Sequence, residues 1–192
     1  MALIVVRTAE RFDLNKVAEL RAAAYGARGY CPRETGAKEQ HLSAPSSSIV
    51  LVAEKNDEIV GTISVLSGKE TPADKAFPEE MTGVRSESGR IISYGSFAVK
   101  TGMWEGSVGL ALIREALSIT DTDVGTAAII TNPRHSLFYK ALGFEKIVHC
   151  PGVPELLGAP ADLMVSRGES FQDLLRRART GIPLYERKRR GC

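Results

Sequence analysis

The turn from Met103 to Gly109 (Met-Trp-Glu-Gly-Ser-Val-Gly) is the first segment whose residue types could bind a ligand. It leads into an almost entirely apolar run, from Val108 to about Thr120, which is typical of a helix buried against a sheet. The first N–H groups of a helix have no partner within it, and glycines let phosphate oxygens approach the backbone. The turn is therefore either an anion-binding loop or a plain connection.

A second candidate segment, from Asn132 to Phe144, carries His135 and Tyr139 on one short predicted helix, 133–142. Asn132 is a good N-cap, Pro133 suits the first helical position, and Gly143 suits a left-handed residue after the last turn. Locally, the segment is a well-capped connection between two strands. Its expected buried stripe consists of Leu137, Phe138, Ala141 and Leu142.

Other kinds of site are not indicated. No set of His, Cys, Asp and Glu residues has the spacing of metal ligands, and no Gly-x-Ser-x-Gly elbow occurs. Three cysteines without a CxxC pair argue against a disulfide framework, which suits a reducing compartment. No apolar run is long enough for a membrane span. We expect a cytoplasmic protein without a bound metal, in which His149 and Cys150 are structural.

The length of the chain and the distribution of its charge indicate one domain with a basic C-terminal end. The 192 residues carry a net charge of only +2, which gives no argument for nucleic-acid binding. The positive charge is concentrated after Phe171, where the sequence contains seven basic residues and only two acidic ones. We expect a domain over residues 1–168, followed by a C-terminal helix and a basic tail over 169–192.

The elements that must position the two segments alternate between strands and helices. The segments 48–54 and 58–66 form a predicted hairpin through Lys55-Asn56-Asp57. Asp13 is expected to cap a helix to about Tyr25 with a stripe of Leu14, Val17, Leu20 and Ala24. Residues 26–47 and 67–89 are expected to be loops, the second a long polar excursion. This order predicts an α/β or α+β fold with three layers. The other predicted strands cover 2–6, 90–99, 125–131, 144–150 and 161–166, and the last helix covers 170–179.

A buried strand, Asn132, a short helix containing Phe138-Tyr139, and then Gly143-Phe144 resemble the second half of the GNAT acyltransferase core. The resemblance implies a three-layer α-β-α fold with a mixed, mostly antiparallel sheet. Its fourth and fifth strands splay apart, and the acyl-thioester arm lies in the gap.

The same resemblance assigns roles to individual residues. Asn132 and Phe138 would contact the pantetheine arm, and Tyr139 would protonate the departing thiolate. A phenol suits that role because its pKa is close to that of a thiol. A backbone N–H among Phe97, Ala98 and Val99 would polarise the acyl carbonyl. His135 either faces the same cleft or helps the helix to start.

The Met103–Gly109 turn resembles the GNAT pyrophosphate loop, Arg/Gln-x-x-Gly-x-Gly/Ala. With Gly106 in register, Met103 stands where Arg or Gln is usual, and Val108 where Gly or Ala is usual. The resemblance assigns contacts with a CoA diphosphate to Trp104, Glu105, Gly106, Ser107, Val108 and Gly109.

A longer part of the chain, residues 45–166, resembles one branch of the GNAT family. This branch is the bacterial N-acyl amino acid synthases, which are related to autoinducer synthases. The resembling motifs are Thr71–Met81, Gly89-Arg90, Ser96–Val99 and Gly158–Met164. These enzymes commonly have a Glu as candidate base early in the strand before Ala98-Val99. Here Ser93 occupies that place, and the strand has no carboxylate. The base could instead be Glu54, His41, His135 or a water chain, or the amine could enter neutral.

Three functions remain open. A long-chain N-acyltransferase would take its acyl group from acyl carrier protein, attracted by the basic tail, and would need a deep apolar tunnel. An acetyl-CoA-dependent N-acetyltransferase would need only a short pocket and a working diphosphate loop. A GNAT-like module could bind the acyl thioester without catalysis. The acceptor would be a small-molecule amine, and homodimerisation is left open.

Overall fold

A seven-stranded mixed sheet forms the centre of the molecule. The computed structural model describes residues 3–27, 48–68, 70–88, 90–100, 107–153, 156 and 158–184. Its strands are β1 (Val5–Thr8), β2 (Ser48–Lys55), β3 (Glu58–Ser67), β4 (Ile91–Val99), β5 (Thr126–Thr131), β6 (Glu145–Val153) and β7 (Ala159–Arg167). They lie in the order β1-β2-β3-β4-β5-β7-β6. Only the β4–β5 pair is parallel, and the other neighbours are antiparallel.

Helices cover both faces of the sheet, so the predicted three-layer α-β-α fold is confirmed. They are α1 (Leu14–Gly26), α2 (Pro72–Ala76), α3 (Pro78–Ser88), α4 (Val108–Ser118), α5 (Ser136–Ala141) and α6 (Gly168–Thr180). α4 and α6 pack on one face and contribute to the largest apolar cluster. α1, α2 and α3 cover the other face through two smaller clusters. Within the described ranges, no helix is long and apolar enough to cross a membrane.

The hairpin between β2 and β3 forms as the sequence predicts. Asn56 and Asp57 both have positive φ, 52° and 60°, as a two-residue turn of this type requires. Ser48 pairs with Leu66 and Lys55 pairs with Glu58. A turn of two residues therefore sets the register of the two strands that lead towards the centre of the sheet.

The expectation of a polar excursion over residues 67–89 is wrong, because this stretch contains α2 and α3. Its prolines begin helices rather than interrupt them, since a missing N–H costs nothing in the first turn. Thr71 caps α2 in a reciprocal arrangement with Asp74, whose carboxylate also accepts two hydrogen bonds from Arg85 on α3. Met81 and Val84 are buried beneath α3. Because both helices are short, the few apolar residues in this stretch are enough to pack them against the sheet.

Two expectations near the N-terminus are also corrected. β1 covers Val5–Thr8 rather than 2–6, because this register pairs Arg7 with Val52 and Thr8 with Leu51. Asp13 does not cap α1 through its side chain; it ends a preceding 3-10 turn and binds Arg7 over 2.6 Å. Val17 and Ala24 of the predicted stripe are buried, together with Ala18 and Arg21. The prediction is wrong for Leu14, which is exposed, and for Leu20, which is only half-buried.

The last helix, α6, packs against the core. Phe171 is fully buried, and Leu174 and Leu175 join the largest apolar cluster together with residues of α4. The helix ends at a left-handed Gly181. Leu174 in this way reaches the region beneath β4 and β5, where the candidate site lies.

Candidate active site

β4 and β5 separate within the sheet. They pair only through Ile91–Thr126, Ile92–Ala127 and Ser93–Ala128. Beyond these pairs, residues 94–99 of β4 and 129–131 of β5 continue without pairing to each other. In the described part of the chain, the β4–β5 ladder therefore ends after three residue pairs. The splay expected between the fourth and fifth strands is thus present.

A bulge in β4 accompanies the separation. Thr62 of β3 pairs with Ala98 and Ser64 pairs with Gly95, so that Ser96 and Phe97 together face Ile63. Ser96 has a φ of 49°, which a non-glycine residue seldom adopts outside such irregularities. A bulge bends its strand and increases the local twist. The bulge therefore turns the second half of β4 away from β5 while its pairing with β3 continues.

An apolar cavity lies under the gap, on the face covered by α4 and α6. It contains about 380 Å³ of empty space, including the part open to solvent. Among the described residues that line it, Tyr94 and Tyr139 are the two that carry side-chain hydroxyls. The lining residues are Ile63, Tyr94, Phe97, Ile113, Ala116, Leu117, Ile129, Tyr139, Leu142, Phe144 and Leu174.

Tyr139, the acid that the family resemblance predicts, lies in the wall of this cavity. Its ring makes edge contacts with Phe138 and Phe144, at centroid distances of 5.2 and 6.0 Å. Desolvation by the surrounding side chains raises the pKa of the phenol above its ordinary value, and the phenol of Tyr25 adds to the rise. The hydroxyl therefore stays protonated at neutral pH.

The segment that carries Tyr139 is built largely as predicted. Asn132 Oδ1 accepts a hydrogen bond from the backbone N–H of Arg134, 2.8 Å away, and Gly143 has a φ of 87°. A 3-10 turn, Pro133–His135, precedes α5. Two members of the expected buried stripe are wrong: Leu137 is 79% exposed, and Ala141 is exposed. Because 3-10 and α-helical turns have different periods, residues after the junction rotate relative to a continuous α-helix.

Tyr25 is a residue of the site that the sequence did not indicate. It lies on α1, and its hydroxyl donates a hydrogen bond to the backbone oxygen of Phe97 in the bulge, 3.2 Å away. Its effect on the pKa of Tyr139 places the two phenols within electrostatic reach. In the sequence it is only an aromatic residue near the end of an amphipathic helix, and nothing in that position points to a strand 72 residues away.

Ser93, predicted where a carboxylate base is common, is buried at the apex of the gap. It shares a face with Ile91, which belongs to the cluster beneath α2 and α3. On the same side of the sheet, Arg21 is 2% exposed and its guanidinium donates to Thr62 Oγ1 and Ser64 Oγ of β3, 3.3 and 2.9 Å away. This face is polar, in contrast to the apolar cavity on the other.

The remaining predicted residues lie at different distances from the gap. Ala98 and Val99 are buried in β4 beyond the bulge, and His135 is half-buried next to α5. Glu54 is an ion-pair partner of Arg7, two strands away from β4, so the structure does not bring it to the site. Ser107 is exposed before α4, whereas Val108 and Gly109 are buried in its first turn. Trp104, Glu105, Gly106 and His41 lie outside the described residues.

A buried carboxylate, Asp162, connects this segment to the sheet and was not foreseen. It is 1% exposed on β7, opposite Thr131 of β5 and His149 of β6. Ser136 Oγ donates to one carboxylate oxygen over 2.5 Å, and His149 Nδ1 contacts the other over 2.7 Å. Burial opposes ionisation, but these hydrogen bonds outweigh it, so the pKa of Asp162 lies below its ordinary value.

Comparisons with known proteins agree with this architecture. The family model described as N-acyl amino acid synthase FeeM matches residues 16–167. The structure of FeeM, an N-acyl amino acid synthase from uncultured soil microbes, superposes with a TM-score of 0.77 at 20% identity, covering 97% of this chain and all of FeeM. No curated protein sequence matches the chain.

More distant structures share the fold. An acyl-CoA N-acyltransferase from Pseudomonas aeruginosa has a TM-score of 0.60 at 13% identity, covering 86% of this chain and 99% of its own. A GNAT-family acetyltransferase from Staphylococcus aureus Mu50 has a TM-score of 0.59 at 12% identity, with the same two coverages.

Proposed function

Because the chain belongs to the N-acyl amino acid synthase FeeM family, we propose that this GNAT-type N-acyltransferase moves a long acyl chain from a thioester to the α-amine of an amino acid. The observation that carries the proposal is the apolar cavity below the β4–β5 gap, with Tyr139 in its wall. A thioester in the gap would direct its acyl chain into this cavity. Its carbonyl would meet the backbone of β4 beyond the last residue pair that this strand forms with β5.

The reaction is a direct transfer. The neutral amine attacks the thioester carbonyl, a C–N bond forms, and the carbonyl oxygen becomes an oxyanion held by backbone N–H groups near Phe97–Val99. The C–S bond then breaks and the departing sulfur receives the proton of Tyr139. The surplus proton of the nitrogen passes to solvent, and a proton from solvent restores the phenol, so that the products are one amide and one thiol. No covalent intermediate on the protein is required.

Desolvation determines the strength of Tyr139 as an acid. Its raised pKa makes it a weak acid, which alone would disfavour proton transfer to a thiolate. A thiolate in the same apolar cavity is desolvated too, and burial raises the pKa of a thiol for the same reason. Burial therefore shifts the pKa of donor and acceptor in the same direction, and the neutral phenol is available as the acid over the whole physiological pH range.

The apolar lining of the cavity favours a long acyl chain over acetyl. Its described lining residues are hydrocarbon side chains apart from two phenols, so a chain that extends along them would be removed from water. Each buried methylene would contribute about 0.8 kcal/mol to binding the longer chain.

The polar face favours an acceptor that carries a carboxylate. Arg21 places a buried guanidinium beside Thr62 and Ser64, on the side of the sheet opposite the acyl cavity. A guanidinium attracts carboxylates through its fixed positive charge. An amino acid entering from this side would orient its α-amine towards the gap.

The donor is acyl carrier protein or acyl-CoA, and the outer surface of the Tyr139 segment favours the first. Leu137 is 79% exposed, and Arg134 and Lys140 are exposed on either side of it. A basic surface with one apolar side chain suits an acidic carrier protein. The Arg134→Glu/Lys140→Glu variant should lower kcat/KM for the acyl carrier protein thioester and leave that for acyl-pantetheine unchanged.

The function is tested with acetyl-CoA, long-chain acyl-CoA and long-chain acyl carrier protein, each mixed with amino acids. Free thiol and acyl amides are measured by mass spectrometry. We expect amides only with long acyl chains, and a much lower rate when each amino acid is replaced by the amine lacking its carboxylate. Amides formed with acetyl-CoA alone would show the alternative, an acetyl-CoA-dependent N-acetyltransferase.

A further inference from the structure

The Ser136–Asp162–His149 cluster is not needed for the chemistry proposed above, yet it contains a buried carboxylate. Asp162 is 1% exposed and Ser136 is 7% exposed, whereas the His149 side chain is 46% exposed at the edge of the cluster. Lys146 Nζ lies 3.6 Å from Asp162 Oδ2. Three hydrogen-bonding or charged groups, one from α5 and two from β6, thus converge on one carboxylate of β7.

The arrangement is not that of a nucleophilic triad. In such a triad the imidazole accepts the serine proton, and the acid orients the imidazole. Here the Ser136 hydroxyl donates directly to the carboxylate, and His149 contacts the opposite oxygen. Ser136 is thus held as a hydrogen-bond donor and is not activated for attack.

The position of the cluster relative to Tyr139 gives it another role. Ser136 is the first residue of α5, one turn before Tyr139, and it follows the 3-10 turn that Asn132 caps. Asp162 faces Thr131, the last residue of β5. The carboxylate therefore binds α5 to the sheet where the chain leaves β5, beside the gap.

We infer that Asp162 is a positioning residue, which sets the orientation of Tyr139 through its hydrogen bond to Ser136. α5 has only six residues and exposes Leu137 and Ala141, so Phe138 and Tyr139 are the large side chains that pack it against the apolar cluster. A buried charge-assisted hydrogen bond is directional and strong, which suits it to fix a short helix. The kinetic part of this inference rests on the proposed function.

A double-mutant cycle tests the kinetic part. Ser136→Ala should lower kcat about tenfold with little change in KM for the thioester, because a misplaced acid slows the chemical step rather than binding. In a Tyr139→Phe background the same substitution should have almost no further effect. An equal loss in both backgrounds, or no loss in either, would overturn the assignment.

A matched control and a readout without turnover complete the test. Ser166 lies on the same strand as Asp162, is 1% exposed, and its hydroxyl has no hydrogen-bond partner in the described part of the chain. Ser166→Ala should therefore behave like the wild type. Amide hydrogen exchange over residues 132–142 should be faster in Ser136→Ala and Asp162→Asn, and unchanged in Ser166→Ala. Unchanged exchange in all three variants would refute the positioning role of Asp162. This readout does not need turnover, so it remains valid if the protein turns over no thioester. An absence of turnover would refute the proposed function and not the positioning role.

Discussion

The hydroxyl of Tyr25 donates a hydrogen bond to the backbone oxygen of Phe97, 3.2 Å away, and so links α1 to the bulge of β4. This contact joins the polar face of the sheet to the strand that should hold the thioester carbonyl. It also brings a second phenol within electrostatic reach of Tyr139.

Tyr25→Phe should lower kcat/KM about fivefold, because loss of one neutral hydrogen bond, about 1 kcal/mol, loosens the backbone of the bulge. The ring remains, so the free energy of unfolding should change little. Steady-state kinetics and urea unfolding of the same preparation provide the check. A variant as active as the wild type would show that the bulge needs no support from α1.

Tyr139→Phe should lower kcat by about a hundredfold or more, the usual contribution of a general acid. The substitution removes only the hydroxyl and keeps the aromatic contacts with Phe138 and Phe144. The variant should therefore still bind a non-reactive thioether analogue of the thioester. This binding is measured as the rise in melting temperature that the analogue causes. Full activity in this variant would exclude the acid role.

The pH dependence of the rate should follow the acceptor and not the protein. β4 carries no carboxylate that could accept a proton from the amine. We therefore expect the amine to enter neutral and kcat/KM to rise with pH through the pKa of the amine. Because the pKa of Tyr139 is raised, its protonated form persists and no fall is expected below about pH 10. A plateau reached near pH 6–7 would instead indicate a protein base such as His135.

Chain-length selection should depend on the wall that α4 contributes to the cavity. Ala116 is fully buried and lines this wall, so Ala116→Leu would fill part of the space. We expect the ratio of kcat/KM for long over short acyl chains to fall, about fourfold for each methylene excluded. Using a ratio within one variant removes the effect of any unfolded fraction. An unchanged ratio would place the acyl chain elsewhere.

Stability should depend on the close contact between β3 and α4. A Cβ added at Gly61 would lie 2.8 Å from Leu112 Cδ1 and from Val108 Cγ1. Gly61→Ala should lower the free energy of unfolding by about 1–3 kcal/mol. The matched control is Gly83→Ala in α3, where a Cβ meets nothing within 4 Å and should raise stability by about 0.5–1 kcal/mol. Urea unfolding would measure both, and equal shifts would contradict the account.

The parts of the fold that were predictable from sequence depend on local signals. Asn56 and Asp57 define a hairpin because few residues tolerate two successive positive φ angles. Asn132 and Gly143 define the ends of the Tyr139 segment in the same way. The splay between strands was predictable only from the family resemblance.

The contacts that complete the candidate site are long-range and were not predictable. Tyr25 and Phe97 are 72 residues apart, and Ser136 and Asp162 are 26 apart. Nothing in their local sequence distinguishes them from core or surface residues. The buried Arg21 misled the prediction of α1, since helical periodicity assumes that buried positions are apolar.

The most direct test is the stoichiometry of one reaction. The purified protein is mixed with a long-chain acyl thioester and an amino acid, and acyl amide and free thiol are quantified together by mass spectrometry. Direct transfer predicts one amide for every thiol, with no acyl group left on the protein. Thiol released without amide, or no thiol released with any amino acid, would contradict the assignment of long-chain N-acyl transfer to amino acids.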